Sequence, residues 1–175
     1  MPSEQQTSTT PEDETDLWRT PPWLFRYLNA RYGPFDVDLA ANSTNALCQL
    51  YVTKEQNTLS MPWSSLGTRG FINPPFSDPD PFVRHAYIEA QHNGFSTAII
   101  LPTHPNQKWA AFAQYATERI EFEGRVNFMK PDGSEKNANR NGTMVYYFRA
   151  YDLGFTRTVW VNTQELKKRY EGAVA

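Results

Sequence analysis

Residues 96–101, STAIIL, place the tightest limit on what this chain can fold into. The run carries no charged side chain and ends in four apolar residues. Segments with helical spacing flank it at 77–94 and 106–116. A continuous apolar strand of this kind is typical of a parallel sheet that is buried on both faces. The pattern therefore predicts an α/β fold with this strand inside the sheet.

The segments upstream of this strand fit the same plan. TPPWLFRYLNARYG predicts a helix with Thr20 as N-cap, Pro21 at the first helical position and Gly33 as the stop. Residues 35–41, FDVDLAA, alternate apolar and acidic side chains. They predict a short strand that ends in the loop ANSTN, which is rich in capping residues.

Beyond residue 117 the pattern changes to short runs with hairpin-like spacing. RIEF, RVNFM, TMVYYF and TVWV each predict a strand. The complete prediction is a central, mostly parallel sheet with an antiparallel C-terminal hairpin at its edge. Residues 1–16 are polar and acidic and predict a disordered tail, which leaves a single domain over 17–175.

Charge and cysteine content exclude several classes of protein. The net charge of -2 excludes a broadly basic nucleic-acid binder. Residues 119–169 nevertheless hold ten basic and six acidic side chains, which fits a phosphate-facing surface or a solvated mixed one. Cys48 is the only cysteine, so a disulfide framework and a cysteine zinc site are excluded. Without a signal peptide or a membrane-length apolar stretch, we expect a cytoplasmic protein with no membrane or metal partner.

The tetrapeptide NPPF at 73–76 ends the short strand GFI with two prolines. Neither proline has an N–H, so the turn is stiff and its carbonyl oxygens are left to accept hydrogen bonds. Asn73 adds a side-chain acceptor, and Phe76 adds a flat apolar ring. At the carboxyl end of a central strand, this set suits an aromatic exocyclic amine. An ordinary proline-rich turn with a packed Phe fits the tetrapeptide equally well.

NPPF resembles motif IV of the amino-methyltransferases. WRTPPWLF, FDVDLAA, NTLSMPW and GRVNF surround it in the gamma-type motif order. Residues 17–148 are thus similar to the phage-type DNA N6-adenine methyltransferases, a small Dam-like family. The resemblance implies a Rossmann-like fold and methyl transfer from S-adenosylmethionine to the N6 amine of adenine in DNA. It also implies a base flipped out of the helix, and the cytoplasm of a bacterial host if the chain is phage-encoded.

The same resemblance implies a cofactor site near the first helix and the first strand. The N-terminus of that helix would favour the methionine carboxylate, and Asp38 would face the ammonium group or a bound water. The implied cofactor residues are Trp18, Thr20, Pro21, Asp38, Ala40, Glu55 and Asn57. Two of them depart from the family pattern. Ala40 stands in a loop that is glycine-rich in the family, and Asn57 replaces an acid that can bind the cofactor adenine.

For the target base, the resemblance implies that Asn73 and the Pro74 carbonyl accept the two N6 hydrogens. Pro75 would stiffen the turn, and Phe76 would stack on adenine. Contacts to DNA or to the pocket wall are expected from the segment after STAIIL and from the polar loop of the C-terminal half. The candidates are His104, Lys108, Arg125, Lys130, Lys136 and Arg140.

Two alternatives share the same features. The first is a methyltransferase that uses this site on RNA or on a glutamine side chain of a protein. The second is a protein that keeps the methyltransferase fold without catalysis and acts as a binding partner. The absent glycine-rich loop and Asn57 favour the second alternative, whereas the basic loop favours DNA as the substrate.

Overall fold

A seven-stranded sheet forms the centre of the computed structural model, which describes residues 16–103, 107–135, 142–152 and 156–172. The strands are β1 (Val37–Asp38), β2 (Leu50–Tyr51), β3 (Arg69–Ile72), β4 (Ser96–Pro102), β5 (Glu118–Glu123), β6 (Thr143–Phe148) and β7 (Arg157–Asn162). The α-helices are α1 (Pro22–Tyr32), α2 (Asp80–His92), α3 (Ala110–Ala113) and α4 (Thr163–Glu171). Two 3-10 helices, Thr58–Ser60 and Trp63–Leu66, lie between β2 and β3.

The spatial order of the strands is β2-β1-β3-β4-β6-β5-β7. The first four strands are mutually parallel, and β5 and β7 are also parallel to each other. Only β6 runs antiparallel to its two neighbours, β4 and β5. The carboxyl ends of β1, β2, β3 and β4 therefore share one edge of the sheet, where α/β proteins place their ligands.

The structure agrees with the predicted α/β class and shows where the antiparallel strand lies. The antiparallel strand is β6, and it lies inside the sheet between β4 and β5 rather than at the edge. All six residues of β6 are buried, because helices cover both faces at this point. The outer strand on this side is β7, which is only partly buried.

Two sequence predictions about local structure are wrong. Thr20 does not cap α1, because Pro21 occupies the N-cap and no side chain bonds to the first turn. Residues 125–129 do not form a strand. Met129 makes only isolated bridges, one with Arg19 and one with Glu135. The predicted stop of α1 at Gly33 is confirmed, and the Gly33 N–H donates to the Asn29 carbonyl.

Apolar side chains pack on both faces of the sheet. On one face Ile99 and Leu101 of β4 join Trp63 and residues of α2 and α3. On the other face Ala98 and Ile100 join α1 and the segment around Val126 and Phe128. Burial of alternate β4 residues on opposite faces confirms that this strand is central. Within the described ranges, none of the helices has the length and apolar character needed to cross a membrane.

Candidate active site

A cavity of about 520 Å³ lies at the carboxyl ends of β1, β2 and β3. Its walls come from three consecutive connections. These are residues 39–42 after β1, residues 52–55 with Asn57 and Thr58 after β2, and Asn73 with Pro75 after β3. The strands adjoin in the order β2-β1-β3, so the cavity spans two strand spacings, about 10 Å. Glu55 and Asn57 therefore lie toward the β2 side of the cavity and Asn73 toward the β3 side.

Asn73 presents its side-chain oxygen without a partner. Its Nδ2 donates to the main-chain carbonyl of Trp18 at 3.3 Å, which fixes the orientation of the amide. The Oδ1 atom is shielded from solvent and has no hydrogen-bond partner among the described residues. A buried acceptor left without a donor costs about 1–3 kcal/mol, so a ligand N–H would be bound favourably at this position.

The rest of the NPPF turn combines a rigid backbone with an aromatic contact. Pro74 is buried, while Pro75 lines the cavity. Phe76 is half-buried and packs edge-on against Phe128, with ring centroids 5.6 Å apart at 86°. Trp18 stacks on the same Phe128 at 6.2 Å and 28°. The turn is thus tied to the N-terminal segment through the residue that the GRVNF motif contributes.

Asp38 organises the loop that follows β1. It is 3% exposed, and its carboxylate accepts hydrogen bonds from the backbone N–H groups of Ala40 at 3.3 Å and Leu47 at 3.1 Å. Burial raises the pKa of Asp38 to about 6, although these two hydrogen bonds oppose the shift. Asp38 is not one of the residues that line the cavity, whereas Ala40 is. Asp38 therefore fixes the cavity wall through its hydrogen bond to the Ala40 N–H and does not itself line the cavity.

Asn57 and Glu55 form the wall near β2. The Asn57 backbone adopts a left-handed conformation with φ 52°, and its side-chain oxygen accepts from the Leu59 N–H at 3.2 Å. Asn tolerates this conformation better than most residues, and it begins the 3-10 helix at Thr58. One lone pair of the Asn57 oxygen is used by this cap, and Glu55 is exposed beside it.

The segment before α1 forms the remaining wall. Of the predicted residues here, Thr20 and Pro21 are buried, and Trp18 contributes its carbonyl to Asn73. Asp16 and Arg19 line the cavity, although neither is among the site residues predicted from the sequence. Arg19 donates to the Thr44 hydroxyl at 3.2 Å and so bridges two walls. Adjacency to the TPP motif was the only sequence signal that could have identified them.

The residues predicted to contact DNA fall into three groups. Lys130 begins a tight turn next to Pro131, which lines the cavity. Lys108 is exposed and borders a second cavity of about 400 Å³ near the start of α2, and Arg125 is exposed just before Phe128. The third group, His104, Lys136 and Arg140, lies outside the described residues. In the parts of the chain that the structure covers, no group of three or more potential metal ligands occurs.

Residues 7–172 match the model of the family described as DNA N-6-adenine-methyltransferase (Dam). A protein of that name from Escherichia phage T1 is 31% identical over 164 residues, which cover 84% of this chain and 68% of the relative. A second protein of that name, from Haemophilus phage HP1 (strain HP1c1), is 28% identical over 167 residues, 93% of this chain and 95% of the relative.

With the mostly parallel sheet and the cavity at its carboxyl edge, these matches define a Rossmann-like methyltransferase fold. The chain belongs to the DNA N-6-adenine-methyltransferase (Dam) family. The resemblance seen in NPPF and its neighbouring motifs is therefore confirmed. The predicted enzyme class, an adenine-specific DNA methyltransferase, is confirmed with it.

Proposed function

We propose that this protein transfers a methyl group from S-adenosylmethionine to the N6 amine of an adenine that is flipped out of DNA into the NPPF turn. The observation that carries the proposal is the Asn73 Oδ1 atom, a shielded acceptor with no described partner at the edge of the cavity. An exocyclic amine supplies the donor that this oxygen lacks. The family relationship favours adenine in DNA over other amines.

The cavity fits the methyl donor in size and in the distribution of its polar groups. A space of about 520 Å³ lies within the range of small-molecule sites. Glu55 and Asn57 at the β2 end would hold the ribose hydroxyls and the adenine of the donor. The opposite end, beside Asn73 and the start of α1, would hold the amino-acid portion, since a helix N-terminus favours a carboxylate. When bound, S-adenosylmethionine supplies a methyl group made electrophilic by its sulfonium.

The NPPF residues would activate the amine by hydrogen bonding. Asn73 Oδ1 and the Pro74 carbonyl would each accept one N6–H, which draws the nitrogen lone pair out of conjugation with the ring. The lone pair would then be placed to take the methyl group, with the C–S bond of the donor breaking as the N–C bond forms. The proton leaves N6 after the nitrogen has become cationic, so no strong base is needed. Placement of the two reacting atoms accounts for most of the rate enhancement in this scheme.

Phe76 and the exposed cations complete the proposed DNA site. A flipped base costs a few kcal/mol of lost stacking, which contact with an aromatic ring offsets. Phe76 is held edge-on by Phe128, so one ring face is oriented by packing before the base arrives. Lys130, beside the cavity, would contact a phosphate of the same strand.

The test is incubation of the protein with methyl-labelled S-adenosylmethionine and unmethylated duplex DNA, followed by digestion and nucleoside analysis. We expect label in N6-methyl-2′-deoxyadenosine and in no other nucleoside. Parallel reactions contain single-stranded DNA, RNA of the same sequence and a glutamine-containing peptide. Label confined to the RNA or to the peptide would show that DNA is not the substrate. Cofactor binding by calorimetry without any methylation would instead identify a binding protein.

A further inference from the structure

The four residues Asp16–Arg19, which we call the strap, contact both ends of the NPPF turn. Trp18 accepts a hydrogen bond from Asn73 Nδ2 at the start of the turn. Asp16 accepts two hydrogen bonds from Ser77, the first residue after the turn. The Ser77 N–H lies 3.1 Å from Oδ1 and the Ser77 hydroxyl lies 2.6 Å from Oδ2.

The strap is itself anchored to a distant part of the chain. The Arg19 N–H donates to the Met129 carbonyl at 2.8 Å, and the Met129 N–H returns a bond to the Arg19 carbonyl at 2.9 Å. The Trp18 ring stacks on Phe128. The C-terminal end of the strap is therefore fixed by backbone hydrogen bonds. Asp16, at the N-terminal end of the strap, is exposed and is held through Ser77.

We infer that Asp16 is a positioning residue, which orients the Asn73 amide by fixing Ser77, the far end of the turn, against the strap. The Trp18 carbonyl and the Arg19 N–H belong to one peptide unit that Met129 holds, so release of the Asp16 carboxylate acts on Asn73 through Ser77 and the turn. The two prolines between Asn73 and Ser77 transmit the constraint, because their φ angles are fixed. The catalytic part of this inference rests on the proposed function; the structural coupling of Asp16 to Asn73 does not.

The position of Asp16 on the cavity wall suggests a competing role, a direct charge contact with the ammonium group of the methyl donor. Substitutions separate the two roles. Asp16→Asn keeps an oxygen for the Ser77 N–H and offers an N–H₂ group to the Ser77 hydroxyl, so it preserves the link without the charge. Asp16→Ala removes both the link and the charge.

The first measurement is independent of activity. The side-chain amide signals of Asn73, identified by their loss in Asn73→Ala, are followed in ¹H–¹⁵N spectra. We expect them to shift and broaden in Asp16→Ala and to stay in place in Asp16→Asn. Unchanged signals in Asp16→Ala would overturn the inference. The control is Asp36→Ala, which also removes an exposed acid, one that accepts from the N–H and hydroxyl of Thr68 and from the Arg69 N–H at the opposite edge of the sheet.

The second measurement separates turnover from cofactor binding. In Asp16→Ala we expect kcat to fall at least about tenfold, because a displacement of about 1 Å at the reacting group can cost roughly a hundredfold, while the Kd for S-adenosylmethionine is unchanged. Asp16→Asn should restore kcat. A raised Kd in both variants would overturn the positioning role in favour of the charge contact. If the wild-type protein were inactive while the Asn73 signals still responded to Asp16, the proposed function would fail and the structural coupling would stand.

Discussion

Asn73 shows how a single amide can be prepared for one kind of ligand. Its donor atom is engaged by the Trp18 carbonyl, and its acceptor atom is left without a described partner. A side chain held in this way is already oriented when a substrate arrives, so little conformational entropy is lost at that step. The cost of leaving the acceptor unpaired in the free protein is recovered when an N–H binds.

Substitution of Asn73 tests this arrangement directly. We expect Asn73→Ala to lower kcat for N6-adenine methylation by at least about tenfold, because one hydrogen bond that strengthens in the transition state is lost. The matched control is Gln164→Ala, which removes an exposed amide from α4, away from the cavity. Equal activity of the Asn73 variant and the control in single-turnover assays would rule out the proposed role.

Asp38 gives a prediction for stability as a function of pH. Burial raises its pKa from 3.8 to about 6, so the folded state favours the protonated acid. The associated stability is fully present below pH 3.8 and is lost as the pH rises through 6. In Asp38→Asn this loss is absent. The difference in unfolding free energy between variant and wild type should therefore change by on the order of 3 kcal/mol in favour of the variant between pH 3.5 and 7.5.

Urea denaturation of both proteins at the two pH values measures this change. Asn offers only one acceptor to the two backbone N–H groups that Asp38 serves, so the variant starts with a constant penalty. Only the pH dependence of the difference carries the prediction. A difference that stays constant across the range would contradict the raised pKa.

At the scale of elements, strand β3 positions the NPPF turn through close packing around a glycine. A Cβ added at Gly70 would lie 2.8 Å from Leu39 Cδ1 and 2.8 Å from the Phe95 ring. Leu39 is the first residue of the cavity wall after β1. The close contact of Leu39 with Gly70 therefore packs this wall against β3. The missing side chain is what lets the two approach.

We therefore expect Gly70→Ala to destabilise the protein by about 1–3 kcal/mol, as overpacking does in well-packed cores. The control is Gly172→Ala, since a Cβ at Gly172 meets no described atom within 4 Å. Urea midpoints of the two variants provide the comparison. Equal midpoints would mean that β3 and Leu39 move apart without cost.

The sequence predicts the elements with strong local signals and misses those that depend on distant contacts. STAIIL and the GFI–NPPF junction are predicted because apolar runs and prolines act locally. Residues 125–129 alternate like a strand, but Val126 and Phe128 are buried by α1 and the strap rather than by a neighbouring strand. The internal position of β6 had a usable signal, because TMVYYF has no charged residue and an edge strand seldom lacks one.

The site follows the same division. The sequence predicts Asn73, Ala40, Glu55 and Asn57, and the structure brings them to one cavity. The polar neighbours of Asp16 predict a disordered tail, whereas its contact with Ser77 and its place on the cavity wall make it part of the site. Asp38 was expected to face the cofactor, whereas its hydrogen bonds to Ala40 and Leu47 direct it to the protein backbone.

On the scale of the whole molecule, a chain with a net charge of -2 must bind DNA through local basic groups. The logarithm of the binding constant falls linearly with the logarithm of the salt concentration, and each phosphate contact adds about 0.9 to the steepness of that fall. We expect Lys130→Ala to reduce that slope by about 0.9 and to weaken binding equally for all sequences. Fluorescence anisotropy with a labelled duplex over a series of salt concentrations measures the slope. An unchanged slope would place Lys130 outside the interface, and Lys168→Ala, an exposed lysine of α4, serves as the control.

The link between Arg19 and Met129 has a consequence for biosynthesis. NPPF leaves the ribosome more than fifty residues before Phe128 and Met129, and the backbone bonds that fix the C-terminal end of the strap cannot form until they emerge. A growing polypeptide consequently contains the whole NPPF turn before the C-terminal end of the strap is fixed. A chain that ends before Phe128 therefore lacks the contacts that hold the C-terminal end of the strap.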